Sequence, residues 1–171
     1  MSLTMYQASI PVFVRGLTAL RGLLQKGADH AAASGTDPNA LVAARLAPDM
    51  LNLAGQVQRA SDTSKLSGQR LSGVQAPSMP DTETTLEQLI QRVNDTIAYL
   101  ETIDAKALDG AEDRTVELNF GPDNRHVFRG DDYLFGFALP NFYFHVAIAH
   151  GILRSQGVPV GKMDYIGAPP R

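Results

Sequence analysis

The chain has 171 residues, a hydrophobic fraction of 44% and a formal net charge of −3. This length and composition are typical of a single globular domain, here residues 1–171, and the lack of excess positive charge argues against a nucleic-acid partner. Because the sequence contains no cysteine, disulfides, thiolate catalysis and cysteine-ligated zinc or iron–sulfur centres are excluded.

The first predicted element is a helix from about Leu3 to His30. Its apolar residues recur at spacings of three and four, as expected for one face of a helix: Leu3, Tyr6, Ile10, Phe13, Leu17, Leu20 and Leu24. Pro11 removes one backbone donor from this pattern, so we expect a bend there.

A second helix is predicted to follow the loop SGTDPN, with Asp37 as its N-cap and Pro38 in its first turn. The apolar residues again repeat by threes and fours, at Val42, Leu46, Met50, Leu53, Val57 and Ala60, and on to Leu71. Pro48 interrupts this pattern, and we expect a kink just before it. Asp62 and Lys65 are predicted to be solvated, with a place at the mouth of a pocket as the alternative.

Thr82 or Asp81 is predicted to cap the third helix, whose apolar residues continue to about Ala105. The spacing of apolar residues then changes to two. Residues 115–120 alternate between polar and apolar, the turn sequence GPDN follows at 121–124, and RHVFRG comes next. This pattern predicts a β-hairpin.

The fourth helix is predicted to begin near Asp131 or Asp132 and to end at Gly157. It carries no charged residue between positions 132 and 154, which is typical of a helix buried on all sides. Asn141 and His145 are four residues apart and therefore share one helical face. Burying them without partners would cost about 1–3 kcal/mol each, so the sequence places a candidate site here.

The uncharged stretch of this helix is just long enough to span a bilayer. However, it contains a proline, an asparagine and two histidines, and we therefore predict a buried helix and no association with a membrane. The N-terminal segment has no basic region followed by a continuous apolar core, as a signal peptide would. Together with the absence of cysteine, this predicts a cytoplasmic location.

The elements together predict an all-α, antiparallel four-helix bundle with a small β-hairpin inserted between helices 3 and 4. The segments LPNFYFHVAIAHGILRSQGVPVGKMDY, RLAPDMLNLAGQVQRASDTSK and YQASIPVFVRGLTALRGLL resemble an uncharacterised branch, a domain of unknown function, of the DinB/YfiT-like metalloenzyme superfamily. PNFYFH and GVPVGK are its most specific segments. The resemblance implies the same bundle, often homodimeric, and in many members a divalent metal held by three histidines. Some members are thiol-dependent transferases.

Within this resemblance, His145 takes the place of the second histidine of a His-x3-His motif, because it precedes Arg154 by nine residues. Asn141 stands in the place of the first histidine, and the second helix, which should supply the third, contains none. The inward-facing polar candidates of that helix are Asp49 and Gln56, seven residues apart and so on one face. With two of three ligands changed, no cofactor is the favoured interpretation. A divalent metal such as Zn or Ni held by His145 and Asp49 stays the alternative.

Two functional hypotheses follow, and the sequence does not decide whether the protein is an enzyme. The first is a metal-free bundle, with a binding or structural role, whose pocket contains Asp49, Gln56, Asn141 and His145. This pocket either holds a small molecule or only satisfies its own polar groups. The second is a metal-dependent transferase or hydrolase in which His145 anchors the metal and Asp49 assists. His145 also has a structural interpretation, as a neutral core histidine. For both hypotheses we expect a homodimer through exposed apolar faces of helices 1 or 4, and a perturbed pKa for His145.

Overall fold

The computed structural model describes residues 3–121 and 123–167. In chain order its elements are the α-helices and strands α1 (Met5–Ser34), α2 (Pro38–Ala43), α3 (Leu53–Ser72), α4 (Leu86–Glu101), β1 (Thr115–Asn119), β2 (Arg125–Arg129), α5 (Gly130–Tyr133), α6 (Leu139–Ser155) and α7 (Lys162–Ile166). Two short 3-10 helices, Ala105–Leu108 and Ala111–Asp113, lie between α4 and β1, and a π-helical turn, Leu134–Ala138, joins α5 to α6.

In these ranges, four long helical segments pack around a shared hydrophobic core: α1, α3, α4 and the continuous run from α5 to α6. The antiparallel hairpin β1–β2 lies between the third and fourth of them, with Val116 opposite Phe128 and Leu118 opposite His126. The predicted four-helix bundle with its inserted hairpin is therefore confirmed. No helix in the described part of the chain is long and apolar enough to cross a bilayer.

Side-chain contacts give the directions of the helices. Gln56 of α3 pairs with His145 of α6, and Thr63 further along α3 pairs with the earlier residue Asn141, so these two helices are antiparallel. The linker 73–85 runs back along α3, so that Glu83 accepts a hydrogen bond from Gln58 near the start of that helix. Helix α4 therefore begins beside the start of α3 and runs in the same direction. This order places the polar face of α3 opposite α6, where the candidate residues of the fourth helix lie.

Helix α1 is longer than predicted, because its ends are fixed by caps. Thr4 and Gln7 form a reciprocal capping box at the start, and Gly35 ends the helix with a left-handed φ of 67°. Pro11 lies within the continuous helix. Close packing on α6 requires a glycine at position 16, since a Cβ there would lie 2.4 Å from the ring of Phe142.

The second predicted helix is wrong in one respect, because the chain forms two helices separated by residues 44–52 rather than one kinked helix. Asp37 and Pro38 begin α2 as predicted. Pro48 cannot donate to a helix and disfavours helical geometry at the residue before it, so the helix ends early. Asn52 then starts α3 by accepting a hydrogen bond from the backbone N–H of Gly55.

The cap predicted for the third helix is also wrong. Thr85, rather than Thr82 or Asp81, caps α4 and forms a capping box with Gln88. Asp81 instead belongs to the linker that contacts α3, and the helix ends at Glu101 before the first 3-10 helix.

The fourth helix contains a π-helical turn that the sequence analysis did not predict. Leu139 donates its backbone N–H to the carbonyl of Leu134, five residues earlier. Pro140 follows and has no N–H to donate, so the ordinary α-helical ladder is interrupted at this point in any case. At the start of the run, Gly130 lies so close to the second 3-10 helix that a Cβ would be 1.8 Å from the carbonyl oxygen of Ala111.

Candidate functional site

The interface between α3 and α6, with the adjoining α5, carries a row of hydrogen-bonded side-chain pairs, which we call the polar seam. It consists of Gln56–His145, Thr63–Asn141 and Ser67–Tyr133. Three of the four predicted pocket residues, Gln56, Asn141 and His145, thus lie along one seam. Each of them bonds to a residue of the facing helix, and Asn141 and His145 do not bond to each other.

The protonation of His145 follows from its hydrogen bonds. The side-chain amide of Gln56 donates through Nε2 to the carbonyl of Leu51 at 3.1 Å, so its Oε1 faces His145 Nδ1 at 2.8 Å and must accept. Nδ1 therefore carries the proton and Nε2 carries the lone pair. Burial, with a smaller effect from the positive charge of Arg59, lowers the pKa of His145 from 6.5 to about 4. The imidazole is neutral at physiological pH.

Asn141 lies between α6 and α3 and donates through Nδ2 to Thr63 Oγ1 at 2.8 Å. The amide is used in this contact with the facing helix. Its carbonyl oxygen keeps acceptor capacity, because an amide oxygen carries two lone pairs.

Asp49 does not belong to the seam, and the prediction that it shares a helical face with Gln56 is wrong. It lies exposed in the turn between α2 and α3, outside both helices. The seven-residue spacing has no helical meaning across residues 44–52, because Pro48 and the cap at Asn52 interrupt the helix there.

A cleft of about 200 Å³, which we call the hairpin cleft, opens where the polar seam meets the hairpin. Its walls come from α3, from the end of the hairpin and from the fourth helical run: Arg59, Asp62, Thr63, Leu66 and Arg70; residues 118–120; and Tyr133, Phe137 and Asn141. Among the described residues, the walls of this cleft include Asn141 but not His145. The seam thus presents the Thr63–Asn141 pair to an open space and keeps the Gln56–His145 pair outside it.

A second group of charged residues ties the linker 73–85 to the bundle. Arg92 of α4, whose side chain is only 1% exposed, contacts Asp62 at 2.9 Å, Asp81 at 3.1 Å and Glu83 at 2.9 Å. Lys65 is also buried and lies 3.3 Å from Asp62, so the prediction that Lys65 is solvated is wrong. The charges of this group are thus shared in one network of three cations and three carboxylates, with Arg59 as the third cation.

The contacts of Glu83 within this group favour its ionised form. Burial alone would raise its pKa, but hydrogen bonds donated by Gln58 and Arg92 outweigh burial and lower the pKa below the usual 4.5. The linker is therefore held by charged contacts that persist at neutral pH.

A family model described as DUF1993, a domain of unknown function, matches residues 5–166. The chain belongs to the DUF1993 family. A crystal structure of a DinB family member protein from Shewanella denitrificans is 36% identical to this DUF1993 chain and has a TM-score of 0.89; the match covers 98% of this chain and 94% of that one. The resemblance seen in PNFYFH and GVPVGK is confirmed. The comparison with curated proteins gave no match.

The donor atoms of the DUF1993 seam do not fit the divalent metal that the DinB-like fold implies. His145 Nε2 is the one basic nitrogen that the seam offers, and its neighbours along the seam are neutral amides and hydroxyls, which are weak ligands. Within residues 3–121 and 123–167, no three His, Cys, Asp or Glu side chains lie close enough to share a metal ion. Asp49, the predicted carboxylate ligand, is exposed in its turn.

Thr63, Arg70 and Tyr133 are site residues that were not predicted from the sequence. Gln56, Thr63 and Arg70 follow one another at seven-residue intervals and lie on the inner face of α3 in this DUF1993 chain. The same spacing rule that was applied to Gln56 would have found the other two. Tyr133 gave no such signal, because its position depends on the π-helical turn that follows it.

Proposed function

We propose that this DUF1993 protein is a metal-free helical bundle that binds a small molecule at the hairpin cleft, where the polar seam opens. The observation that carries this proposal is the Thr63–Asn141 pair, whose polar groups are fixed by a hydrogen bond of 2.8 Å and line an open cleft of about 200 Å³. Most small-molecule sites combine an apolar wall with a few oriented polar groups. The hairpin supplies the apolar wall here through Leu118 and Phe120.

The direct test is a thermal-shift screen with mixtures of small polar compounds, followed by NMR titration of each compound that stabilises the protein. Binding at the cleft predicts shifts at Thr63 and Asn141, and a loss of the stabilisation in Asn141→Ala. Asn39→Ala, which changes an exposed asparagine of α2, should respond like the unchanged protein. Stabilising compounds that act equally on Asn141→Ala would refute the assignment to this cleft.

The alternative function is a divalent-metal-dependent transferase or hydrolase. One observation favours it: the imidazole of His145 is neutral at physiological pH and its Nε2 keeps a free lone pair, as a ligand of Zn or Ni requires. The other seam residues lack the charge that a divalent ion needs, and for that reason we favour the metal-free function.

We further infer that a second copy of the chain covers the exposed face of α6. Phe144 is 52% exposed and Pro140 and Ala147 are exposed beside it, in a segment without charged residues. Two such faces meet without repulsion between like charges. Sedimentation analysis should show a homodimer, and Phe144→Glu should shift it to the monomer; a monomer before the change would refute the homodimer.

The remaining parts of the proposal concern location and other partners. The net charge of −3 offers no electrostatic attraction to nucleic acid, and the absence of cysteine throughout the sequence suits a reducing compartment. We therefore propose that the protein acts in the cytoplasm without a nucleic-acid partner. Fractionation of cells that express the tagged protein would test the location.

A further inference from the structure

The hairpin cleft contains two arginines, and among the described residues only one of them is paired with carboxylates. Arg59 forms ion pairs with Asp62 and Asp81, so its charge is matched within the protein. Arg70 has no carboxylate within ion-pair distance in the described part of the chain. Asp62, the acidic residue of the same cleft, is already shared among Arg59, Lys65 and Arg92.

A directed chain of hydrogen bonds holds the guanidinium of Arg70 in place. Its Nη1 donates to the hydroxyl oxygen of Tyr133 at 3.0 Å, since a guanidinium only donates. Ser67 Oγ donates to the carbonyl of Thr63 at 2.6 Å, so the hydroxyl of Tyr133 donates to Ser67 Oγ at 2.8 Å. The guanidinium carbon also lies 5.7 Å from the centre of the Tyr133 ring. The side chain is therefore oriented before any ligand arrives.

This arrangement uses one nitrogen of Arg70. Its Nε and Nη2 have no hydrogen-bond partner among the described residues and are not enclosed. Planar N–H donors of a guanidinium match the two oxygens of a carboxylate, which binds them in parallel. Around them, Leu66, Phe120 and Phe137 give the cleft apolar walls.

We propose that the ligand of the hairpin cleft is a small carboxylic acid with a flat apolar body, bound through its carboxylate to Arg70. This proposal rests on the proposed function and specifies its ligand. The apolar body lies against the rings of Phe120 and Phe137, which contact each other with centroids 5.6 Å apart, and the amide of Asn141 binds a polar substituent. A cleft of about 200 Å³ lies below the ~300–1,000 Å³ of typical small-molecule sites, so a single aromatic ring sets the scale of the ligand.

The test is a titration of the full chain with benzoate, followed by calorimetry and by NMR. Benzamide, which has the same shape without the charge, is the first control compound, and inorganic phosphate, which has charge without an apolar body, is the second. We expect benzoate to bind at least about tenfold more tightly than either. The NMR shifts should concentrate at Thr63, Phe137 and Asn141.

The matched variants are Arg70→Gln and Arg125→Gln, which remove the same charge from the cleft and from the exposed hairpin strand. Arg70→Gln should weaken benzoate binding about tenfold or more, with a melting temperature close to that of the unchanged protein, and Arg125→Gln should leave binding as it was. Arg70→Lys should fall between them, because it keeps the charge and loses the paired donors.

Failure of this inference is distinct from failure of the proposed function. Equal binding of benzoate and benzamide, tighter binding of phosphate, or undiminished benzoate binding in Arg70→Gln would overturn the carboxylate proposal, even if compounds still bind at Thr63 and Asn141. If Arg70→Gln does not fold, NMR shifts of the unchanged protein that avoid the cleft would overturn it instead. Absence of any binding compound at the cleft would overturn both.

Discussion

The burial of His145 leads to a specific loss of stability in mildly acidic solution. The pKa of His145 is about 4 in the folded protein and near 6.5 in the unfolded chain, so between these values the unfolded chain binds the proton and the folded protein does not. Stability is fully present above about pH 6.5 and falls as the pH is lowered towards 4. From about pH 7.5 to about pH 5, the loss from this one group is at most about 2 kcal/mol, or about 4–8 °C in Tm for a chain of this size.

Urea unfolding at a series of pH values, compared with the same series for His145→Gln, measures this loss. The variant cannot take up the proton, so its free energy of unfolding should vary less over this range by about 2 kcal/mol. His126→Gln removes an exposed histidine of the hairpin. The free energy of unfolding of this variant should vary with pH as that of the unchanged protein does. Identical slopes for the unchanged protein and His145→Gln would refute the burial assigned to His145. The carboxylate of Glu83 acts only below about pH 4.5, outside this range.

Three other substitutions test the packing and the charged contacts, each by urea unfolding. Gly130→Ala should destabilise the protein by about 3 kcal/mol or more, because its Cβ would meet a backbone oxygen; Gly22→Ala, at an exposed helical position with open space, should be neutral or slightly stabilising. A small effect at position 130 would contradict the placement of α5. Arg92→Met should cost about 3–5 kcal/mol, because it leaves partly buried carboxylates without their cation, and Arg125→Met should change little. Equal losses in these two variants would contradict the buried network. Asn52→Ala should cost about 1 kcal/mol as a lost N-cap, and an unchanged stability would show that α3 does not begin there.

Much of the helical framework could be predicted from the sequence. In α1 and α4, the apolar spacing extends over nearly the same residues that the N-caps and C-caps delimit. The hairpin was equally accessible, since its alternation of apolar and polar residues changes the period from that of the preceding helix. In these segments, local preference and tertiary packing favour the same structure.

In the segment between α2 and α3, the apolar spacing predicted a helix that does not form. Its apolar residues keep a helical spacing, but Pro48 and the cap at Asn52 are local effects that override the spacing. Leu46, which the pattern assigned to a helical face, is 44% exposed there. The error at Asp49 followed directly from this break.

At the site, the sequence located the helices but not the pairs between them. The spacing of Asn141 and His145 predicted a shared face, and both residues do contact α3. Which residues of α3 they contact depends on how far the two helices are shifted along each other. The sequence of either helix alone does not determine this shift. The network of Arg92 depends in the same way on the path of a linker that returns along α3.

The most direct test of the metal-free seam is elemental analysis of the untagged protein as purified, followed by thermal denaturation with added zinc, nickel and manganese. Our account predicts far less than one transition metal ion per chain and no stabilisation by any of these ions, because His145 stands alone among neutral donors. One tightly bound ion per chain, lost in His145→Ala, would contradict the account and would favour the metal-dependent alternative.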